Sequence, residues 1–127
     1  MTEDEVREVV AEITADPDAE REYEFRHPDC VIDIPQSAER FDRDGMREMQ
    51  RNFPGRPPDM HLERLAGAGD VWVVELVPDY GGERGGVFNV CLILEFKAGK
   101  IARETRNYTE PFEPSQQRAQ WTLPADS

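Results

Sequence analysis

The strongest candidate for chemistry in this chain is a single carboxylate inside an apolar segment. Glu75 lies within Val71–Val77, and the remaining six residues of this segment are all hydrophobic. A carboxylate in such a segment either faces solvent or a subunit interface, or is buried with a raised pKa. A buried carboxyl group in an apolar pocket is a good general acid or base. We therefore predict Glu75 as the catalytic proton carrier, with a solvent-facing or interface carboxylate as the alternative.

Two polar side chains near the end of the chain are candidate helpers of Glu75. Asn89 lies among apolar residues, so its amide needs hydrogen-bond partners if it is buried. It would hold a substrate carbonyl or hydroxyl group, or else face outward. Tyr108 offers a ring to line a pocket and a hydroxyl group to donate, although a strand tyrosine is also ordinary core packing. We predict both as catalytic residues beside Glu75.

A charged pair lies in the same segment as Tyr108. Glu104 and Arg106 are two residues apart, so in a strand they share one face with Tyr108. Together they could bind the polar end of a substrate. The interpretation that we favour from the sequence is a charged face turned to solvent or to a second subunit.

The residues that usually bind metals are too scattered to form a site. His27 and His61 are far apart and have no Glu or Cys at ligand spacing, and Cys30 and Cys91 form no metal or redox motif. We therefore expect no metal and no cofactor, and we expect both cysteines to be reduced.

The composition favours one acidic globular domain that spans residues 1–127, with a net charge of −12. This charge argues against nucleic acid or an anionic membrane as a partner, because both require a positive surface. The sequence contains no apolar stretch long enough for a membrane span. Its first residues are acidic, unlike a secretory signal. We expect a cytoplasmic protein whose partner is a small apolar molecule.

Three helices are predicted in the first half of the chain. Thr2 and Glu5 form a capping box for the first helix, and Asp16-Pro17 predicts the start of a second helix that carries Tyr23. Met46, Met49 and Phe53 recur at helical spacing and predict a third helix.

The second half predicts an antiparallel sheet. Two strands are expected over His61–Leu65 and Val71–Val77, and a long hairpin is expected over Val87–Phe96 and Ile101–Tyr108. Helices first and strands afterwards indicate an α+β fold. A long, curved hairpin packed on helices would enclose a pocket for a small ligand.

Several short blocks, in this order and at this spacing, resemble the SnoaL-like branch of the nuclear transport factor 2-like superfamily. They are Ile34-Pro35-Gln36-Ser37, Trp72-Val73-Val74-Glu75, Gly99-Lys100-Ile101 and Tyr108-Thr109-Glu110-Pro111-Phe112. The resemblance implies a cone-shaped, curved antiparallel sheet wrapped on three N-terminal helices. It also implies an apolar pocket between them and a homodimer formed through the sheet.

The superfamily includes polyketide cyclases, ketosteroid isomerase and the phenazine-biosynthesis A/B proteins, as well as non-enzymes, so the fold leaves function open. The acidic residue of the phenazine group would fall on Asn107, which cannot transfer a proton as a carboxylate does. The base of ketosteroid isomerase directly precedes a proline, and that position here is Ile34. The matching acid of the cyclases would fall near Glu110.

The pocket wall implied by the resemblance supplies the substrate-binding candidates, which are Tyr23, Ile34, Met49, Phe53, Trp72 and Asn107. We expect a cofactor-free isomerase, cyclase or dehydratase that acts on a small, apolar, oxygenated, polyketide-like molecule. The alternative is a non-catalytic ligand-binding or accessory protein of the same fold. The tail over residues 113–127 carries Trp121 and is expected to dock over the pocket or onto a partner subunit.

Overall fold

A computed structural model describes residues 1–15, 18–55, 59–80, 83–84, 88–110 and 112–124 of the chain. Three α-helices and seven β-strands are joined in the order α1, α2, β1, β2, α3 and β3 to β7, with two short 3-10 turns. The helices are α1 (Glu3–Thr14), α2 (Ala19–Phe25) and α3 (Arg43–Arg51), and the strands are β1 (Arg26–Ile34), β2 (Glu39–Asp42), β3 (Asp59–Ala68), β4 (Val71–Tyr80), β5 (Glu83–Arg84), β6 (Asn89–Lys97) and β7 (Lys100–Thr109).

Each helix begins at a side-chain cap. The predicted capping box of α1 is present, since Thr2 and Glu5 satisfy each other's backbone N–H groups. Asp18 accepts hydrogen bonds at the start of α2, and Asp42 does so at the start of α3. The predicted start of α2 at Asp16-Pro17 lies outside the described residues, and the cap that the structure describes is Asp18.

The strands form one curved, open sheet in the order β2-β1-β7-β6-β4-β3, with β5 paired to β4. The α+β fold predicted from the sequence is confirmed. All pairs are antiparallel except β1 with β7, which is parallel, so the sheet is mixed. This pair could not be predicted from the final hairpin alone, because it joins strands from opposite ends of the chain.

The core lies between one face of the sheet and the helices. In β4, Trp72, Val74 and Leu76 are buried, whereas the alternating Val71 and Val73 are exposed. This alternation follows from the two-residue repeat of a strand. The buried strand residues pack with Val6, Val9 and Val10 of α1 and with Met46 of α3.

A β-bulge in β7 decides which of its side chains face inward. Glu95 pairs with Arg103 and the next residue, Phe96, pairs with Ile101, so Ala102 is an extra residue on β7. A bulge of one residue reverses the alternation of faces. Ile101 is therefore buried on one side of the bulge and Glu104 on the other.

None of the helices in the described part of the chain is both long enough and apolar enough to cross a membrane.

Candidate functional site

A cavity of about 470 Å³ lies between the inner face of the sheet and all three helices. This volume is within the range of small-molecule sites. Most of its wall is apolar: Ile13, Ala19, Met49, Phe53, Met60, Leu76, Phe88, Val90 and Leu92. The other lining residues are polar, and they are Thr14, Glu22, Gln50, Glu104, Arg106 and Tyr108.

Glu104 is the centre of the polar residues. Its side chain is only 1% exposed, and its two carboxylate oxygens have different arginine partners. Oε1 lies 3.4 Å from Arg26 Nη2, and Oε2 accepts a hydrogen bond from Arg106 Nε. Burial alone would raise the pKa of Glu104, but the charges and hydrogen bonds of Arg106 and Arg26 outweigh it and lower the pKa to about 2. Glu104 is therefore a permanent anion at neutral pH.

Glu22 lies in the same cluster but has the opposite behaviour. Gln50 Nε2 donates a hydrogen bond to Glu22 Oε2 at 2.9 Å, and Arg26 Nη2 lies 3.8 Å from Oε1. Burial is the dominant effect and raises the pKa of Glu22, the anion of Glu104 raises it further, and the two arginines only partly oppose this. Of the two carboxyl groups at the cavity, Glu22 is thus the one suited to exchange a proton.

The arginines complete a cluster with two acidic and two basic side chains. Glu104 raises the pKa of Arg106 even though burial lowers it, so the guanidinium stays charged. Arg26 is 2% exposed, and its Nε and Nη1 are buried without a hydrogen-bond partner among the described residues. A buried group of this kind ordinarily needs a partner such as water or a ligand atom.

Three of the predicted residues line the cavity: Tyr108, Met49 and Phe53. The ring of Tyr108 packs edge-on against Phe88 with the centroids 5.9 Å apart. Its backbone is held by Gln36, which accepts from the Tyr108 N–H at 2.6 Å and donates to the Tyr108 carbonyl. Phe53 is 49% exposed and lies two residues beyond the end of α3.

Glu75 does not line the cavity, although it was predicted as the proton carrier. It follows the buried Val74 in β4 and lies on the outer face of the sheet. Its carboxylate receives a forked pair of hydrogen bonds from Arg64, with Nη2 at 2.7 Å and Nε at 3.1 Å, and its side chain is 39% exposed. The expected desolvation is absent, so we do not retain Glu75 as the proton carrier.

Three further predicted residues, Asn89, Asn107 and Trp72, do not line the cavity either. Asn89 is exposed at the start of β6. Asn107 pairs with Cys91 and alternates with the inward-facing Arg106 and Tyr108, so its side chain is on the outer face. Trp72 is 5% exposed in the core, where its indole N–H donates to the Gly69 carbonyl at 2.9 Å.

Tyr23 and Ile34, the remaining predicted residues, also lie outside the cavity wall. The Tyr23 hydroxyl donates to Asp44 at 3.0 Å, and its ring is covered by the guanidinium groups of Arg43 and Arg47 at 3.6 and 3.9 Å. This arrangement joins α2 to α3 and so holds Glu22 beside Gln50. Ile34 lines a separate hollow of about 290 Å³.

Sequence reasoning missed Glu22, Gln50 and Arg26, and it placed Glu104 and Arg106 on the wrong face. The preference for a solvent or dimer face was wrong because the bulge at Ala102 turns both side chains inward. One signal was available, since Glu22 and Arg26 are four residues apart and could form an ion pair. Among the described residues, no three His, Cys, Asp or Glu side chains are grouped to hold a metal ion.

In the described part of the chain, a curved sheet thus packs on three helices around a cavity. The chain belongs to the SnoaL-like domain family, whose profile matches residues 6–104. The resemblance noted in the sequence is therefore confirmed. No functionally curated protein is significantly similar to the chain in sequence.

Solved structures agree with the family. An NTF2-like protein of unknown function from Burkholderia xenovorans LB400 is 29% identical, with a TM-score of 0.78 over 96% of each chain. A candidate ketosteroid isomerase from Kribbella flavida DSM 17836 is 22% identical, with a TM-score of 0.77 over 97% of this chain and 93% of that one. IdmH, a candidate polyketide cyclase from Streptomyces antibioticus, is 18% identical, with a TM-score of 0.58 over 80% and 90%. The last two likenesses concern the fold alone.

Proposed function

We propose that this protein is a cofactor-free acid–base enzyme that acts on a small, apolar, oxygenated molecule of polyketide type, as an isomerase, cyclase or dehydratase. Glu22 is the proton carrier in place of Glu75. Arg106 and Tyr108 hold the substrate oxygen, and Met49 and Phe53 contact its apolar body. The observation that carries the proposal is the presence of Glu22 on the cavity wall with a raised pKa, beside the permanent anion Glu104.

Two carboxyl groups with opposite pKa shifts at one cavity are a recurring feature of acid–base sites. Glu104 cannot serve as the proton carrier, because two arginines hold it ionised. Its role is to fix the guanidinium of Arg106 at the cavity wall. Glu22 is held by the Gln50 amide and binds a proton more tightly than a solvated carboxylate, which makes it the better base.

The proposed step is abstraction of a proton from the carbon next to a carbonyl group. The Glu22 carboxylate takes the proton, and the C–H electron pair moves to the carbonyl oxygen to form an enolate. Glu22, Glu104, Arg26 and Arg106 have no net charge before the step and a charge of +1 once Glu22 is protonated. The positive charge thus arises when the negative oxygen forms beside Arg106, in a site where burial strengthens electrostatics.

Exchange of carbon-bound hydrogen tests this directly. The protein is incubated in D2O with a panel of small cyclic ketones such as 2-tetralone, and deuterium incorporation next to the carbonyl is followed by proton NMR. We expect catalysed exchange, and Glu22→Gln should lower its rate by a factor of about 100 or more, as for loss of a general base. Glu75→Gln is the matched control and should exchange at the wild-type rate.

Equal exchange rates in wild type and Glu22→Gln would overturn the assignment of Glu22. A ligand that binds in the cavity without any exchange across the panel would support the alternative function, a non-catalytic binding or accessory protein. The apolar cavity serves both functions, so turnover is the property that separates them.

We also propose a cytoplasmic homodimer formed through the outer face of the sheet. Val71 and Val73 are 49% and 37% exposed there, and Phe112, Trp121 and Leu123 of the C-terminal segment are 83%, 74% and 82% exposed. Exposed apolar groups of this number favour burial against a second copy. Light scattering after size exclusion should give twice the chain mass, and Val73→Lys should give the monomer mass. A wild-type monomer would contradict the proposal.

A further inference from the structure

The polar groups of the cavity that remain unused are mainly hydrogen-bond donors. Arg106 donates a hydrogen bond to Glu104 through its Nε alone. Its two terminal nitrogens make no hydrogen bond to the described residues. The Tyr108 hydroxyl likewise has no partner among them, since the hydrogen bonds of Tyr108 involve its backbone. Both residues line the cavity. A ligand atom placed between them must therefore be an acceptor, and an anionic oxygen is the strongest acceptor available.

The charged side chains around this position come from three of the elements packed around it. Glu22 lies on α2, Arg26 on β1, and Glu104 and Arg106 on β7, while α3 and α1 contribute only the neutral Gln50 and Thr14. The two glutamates and two arginines together are neutral when Glu22 is ionised, and they have a charge of +1 when Glu22 is protonated. An anion that enters the cavity therefore favours proton uptake by Glu22, because the two negative charges would otherwise lie close together in a buried site.

Gln50 can accommodate both states of Glu22. In the structure its Nε2 donates to Glu22, and its Oε1 is buried without a partner. Rotation of the amide by half a turn would bring Oε1 toward Glu22, where it could accept the proton of the neutral carboxyl group.

We propose that the cavity selects small apolar oxyanions, such as aromatic carboxylates or the anions of acidic enols and phenols. The anionic oxygen binds to Arg106 and Tyr108, and Glu22 takes up a proton as the anion enters. This inference rests on the proposed function and deepens it by naming the charge class of the ligand. Arg106 is accordingly the residue that determines specificity for an anion over a neutral compound of the same shape.

The test is isothermal titration of the full chain with 2-naphthoate, its neutral methyl ester and 2-naphthol, in two buffers that differ in ionisation enthalpy. We expect 2-naphthoate to bind at least about tenfold more tightly than the ester, as a buried charge pair would give. Its binding enthalpy should depend on the buffer, which reveals proton uptake. Tight binding of 2-naphthol with the absorbance of naphtholate would extend the class from carboxylates to enolates and phenolates.

Three variants assign the effect to the named residues. Glu22→Gln should abolish proton uptake while 2-naphthoate still binds. Tyr108→Phe should weaken 2-naphthoate and leave the ester unchanged, and it keeps the buried ion pairs intact. Arg106→Met should remove the preference for the anion, with its fold checked by circular dichroism because Glu104 loses a partner.

Equal or tighter binding of the ester, or no binding of either compound, would overturn the inference. The proposed function fails separately from it. Binding of 2-naphthoate with proton uptake but without ketone exchange would leave an anion-binding protein, whereas ketone exchange without a preference for the anion would leave an enzyme for neutral ligands.

Discussion

Two arginine–glutamate groups on the same sheet show how strongly the surroundings decide what a carboxylate can do. The Arg64–Glu75 pair has good geometry but lies on the outer face, where the side chains are 73% and 39% exposed. Arg26, Glu104 and Arg106 form a group of the same chemistry with side chains that are 2%, 1% and 15% exposed. An exposed pair contributes about 0 to 1 kcal/mol, whereas breaking a buried pair costs about 3 to 5 kcal/mol.

Local sequence is therefore a poor guide to a functional carboxylate. Glu75 lies among valines and leucines, which made it the candidate, yet its own alternation in β4 turns it outward. Glu104 lies among charged residues, which made it seem a surface group, yet it is buried. The bulge at Ala102 and the two arginines explain the difference.

The largest expected effect is loss of the buried anion. Glu104→Gln should lower the free energy of unfolding by about 3 to 5 kcal/mol, because Arg26 and Arg106 are left buried without their shared counter-charge. Urea denaturation at neutral pH measures it. A decrease in unfolding free energy of less than about 1 kcal/mol would mean that the buried group contributes no more than an exposed ion pair, which would contradict the difference argued above.

The difference in unfolding free energy between wild type and Glu104→Gln should become smaller at acidic pH. The pKa of Glu104 is about 2 in the folded protein, against an ordinary value of 4.5. Between these values the unfolded chain binds more protons, so the stabilisation by Glu104 is complete above about 4.5 and is lost as the pH falls toward 2. The stability gap between wild type and Glu104→Gln should narrow over this interval in denaturation curves. A gap that is constant down to the lowest pH would contradict the assigned ion pairs.

A smaller effect of opposite sign is expected for Glu22. Its pKa is raised in the folded state, so above the ordinary value of 4.5 the folded protein binds more protons than the unfolded chain. Wild type should therefore lose stability relative to Glu22→Gln as the pH rises from 4.5 through the folded pKa. Thermal or urea unfolding of both proteins across this range measures it. If the free energies of unfolding of the two proteins changed with pH in the same way, burial would not raise the pKa of Glu22.

The smallest effect is expected at the surface pair. Glu75→Gln and Arg64→Met should each change the free energy of unfolding by less than about 1 kcal/mol, and added salt should reduce even that. A double-mutant cycle isolates the pair. A coupling energy as large as that of the buried group would mean that the proposed dimer interface covers Arg64 and Glu75, so that the pair is buried and the contrast with Glu104 fails.

Local patterns were sufficient for most of the fold. The capping box of Thr2 and Glu5 predicted α1, and the final hairpin was predicted within two residues at each end. The order of helices and strands then identified the α+β class. These features depend on neighbours in sequence, which is why one sequence could reveal them.

The site could be predicted only in part, because it depends on contacts between distant segments. β1 begins at Arg26 and pairs with β7, which brings Arg26 to Glu104. No local pattern indicates that partner. The bulge at Ala102 has no glycine to reveal it, and a shift of one residue reverses every later side chain in the strand. Met49 and Phe53 were predicted as cavity residues because the family resemblance implies a pocket wall there, and Tyr108 because its ring can line a pocket.

The most direct test of the central claim, that Glu22 is the carboxyl group suited to exchange a proton, is a carbon-13 NMR titration. Glutamate side-chain carboxyl carbons are labelled, and Glu22→Gln and Glu104→Gln assign the two signals. The account predicts that Glu22 titrates with a pKa above 4.5 and that Glu104 stays ionised until the pH approaches 2. A Glu22 pKa at or below 4.5 would contradict it, because the carboxyl group would then be no better a base than one in water.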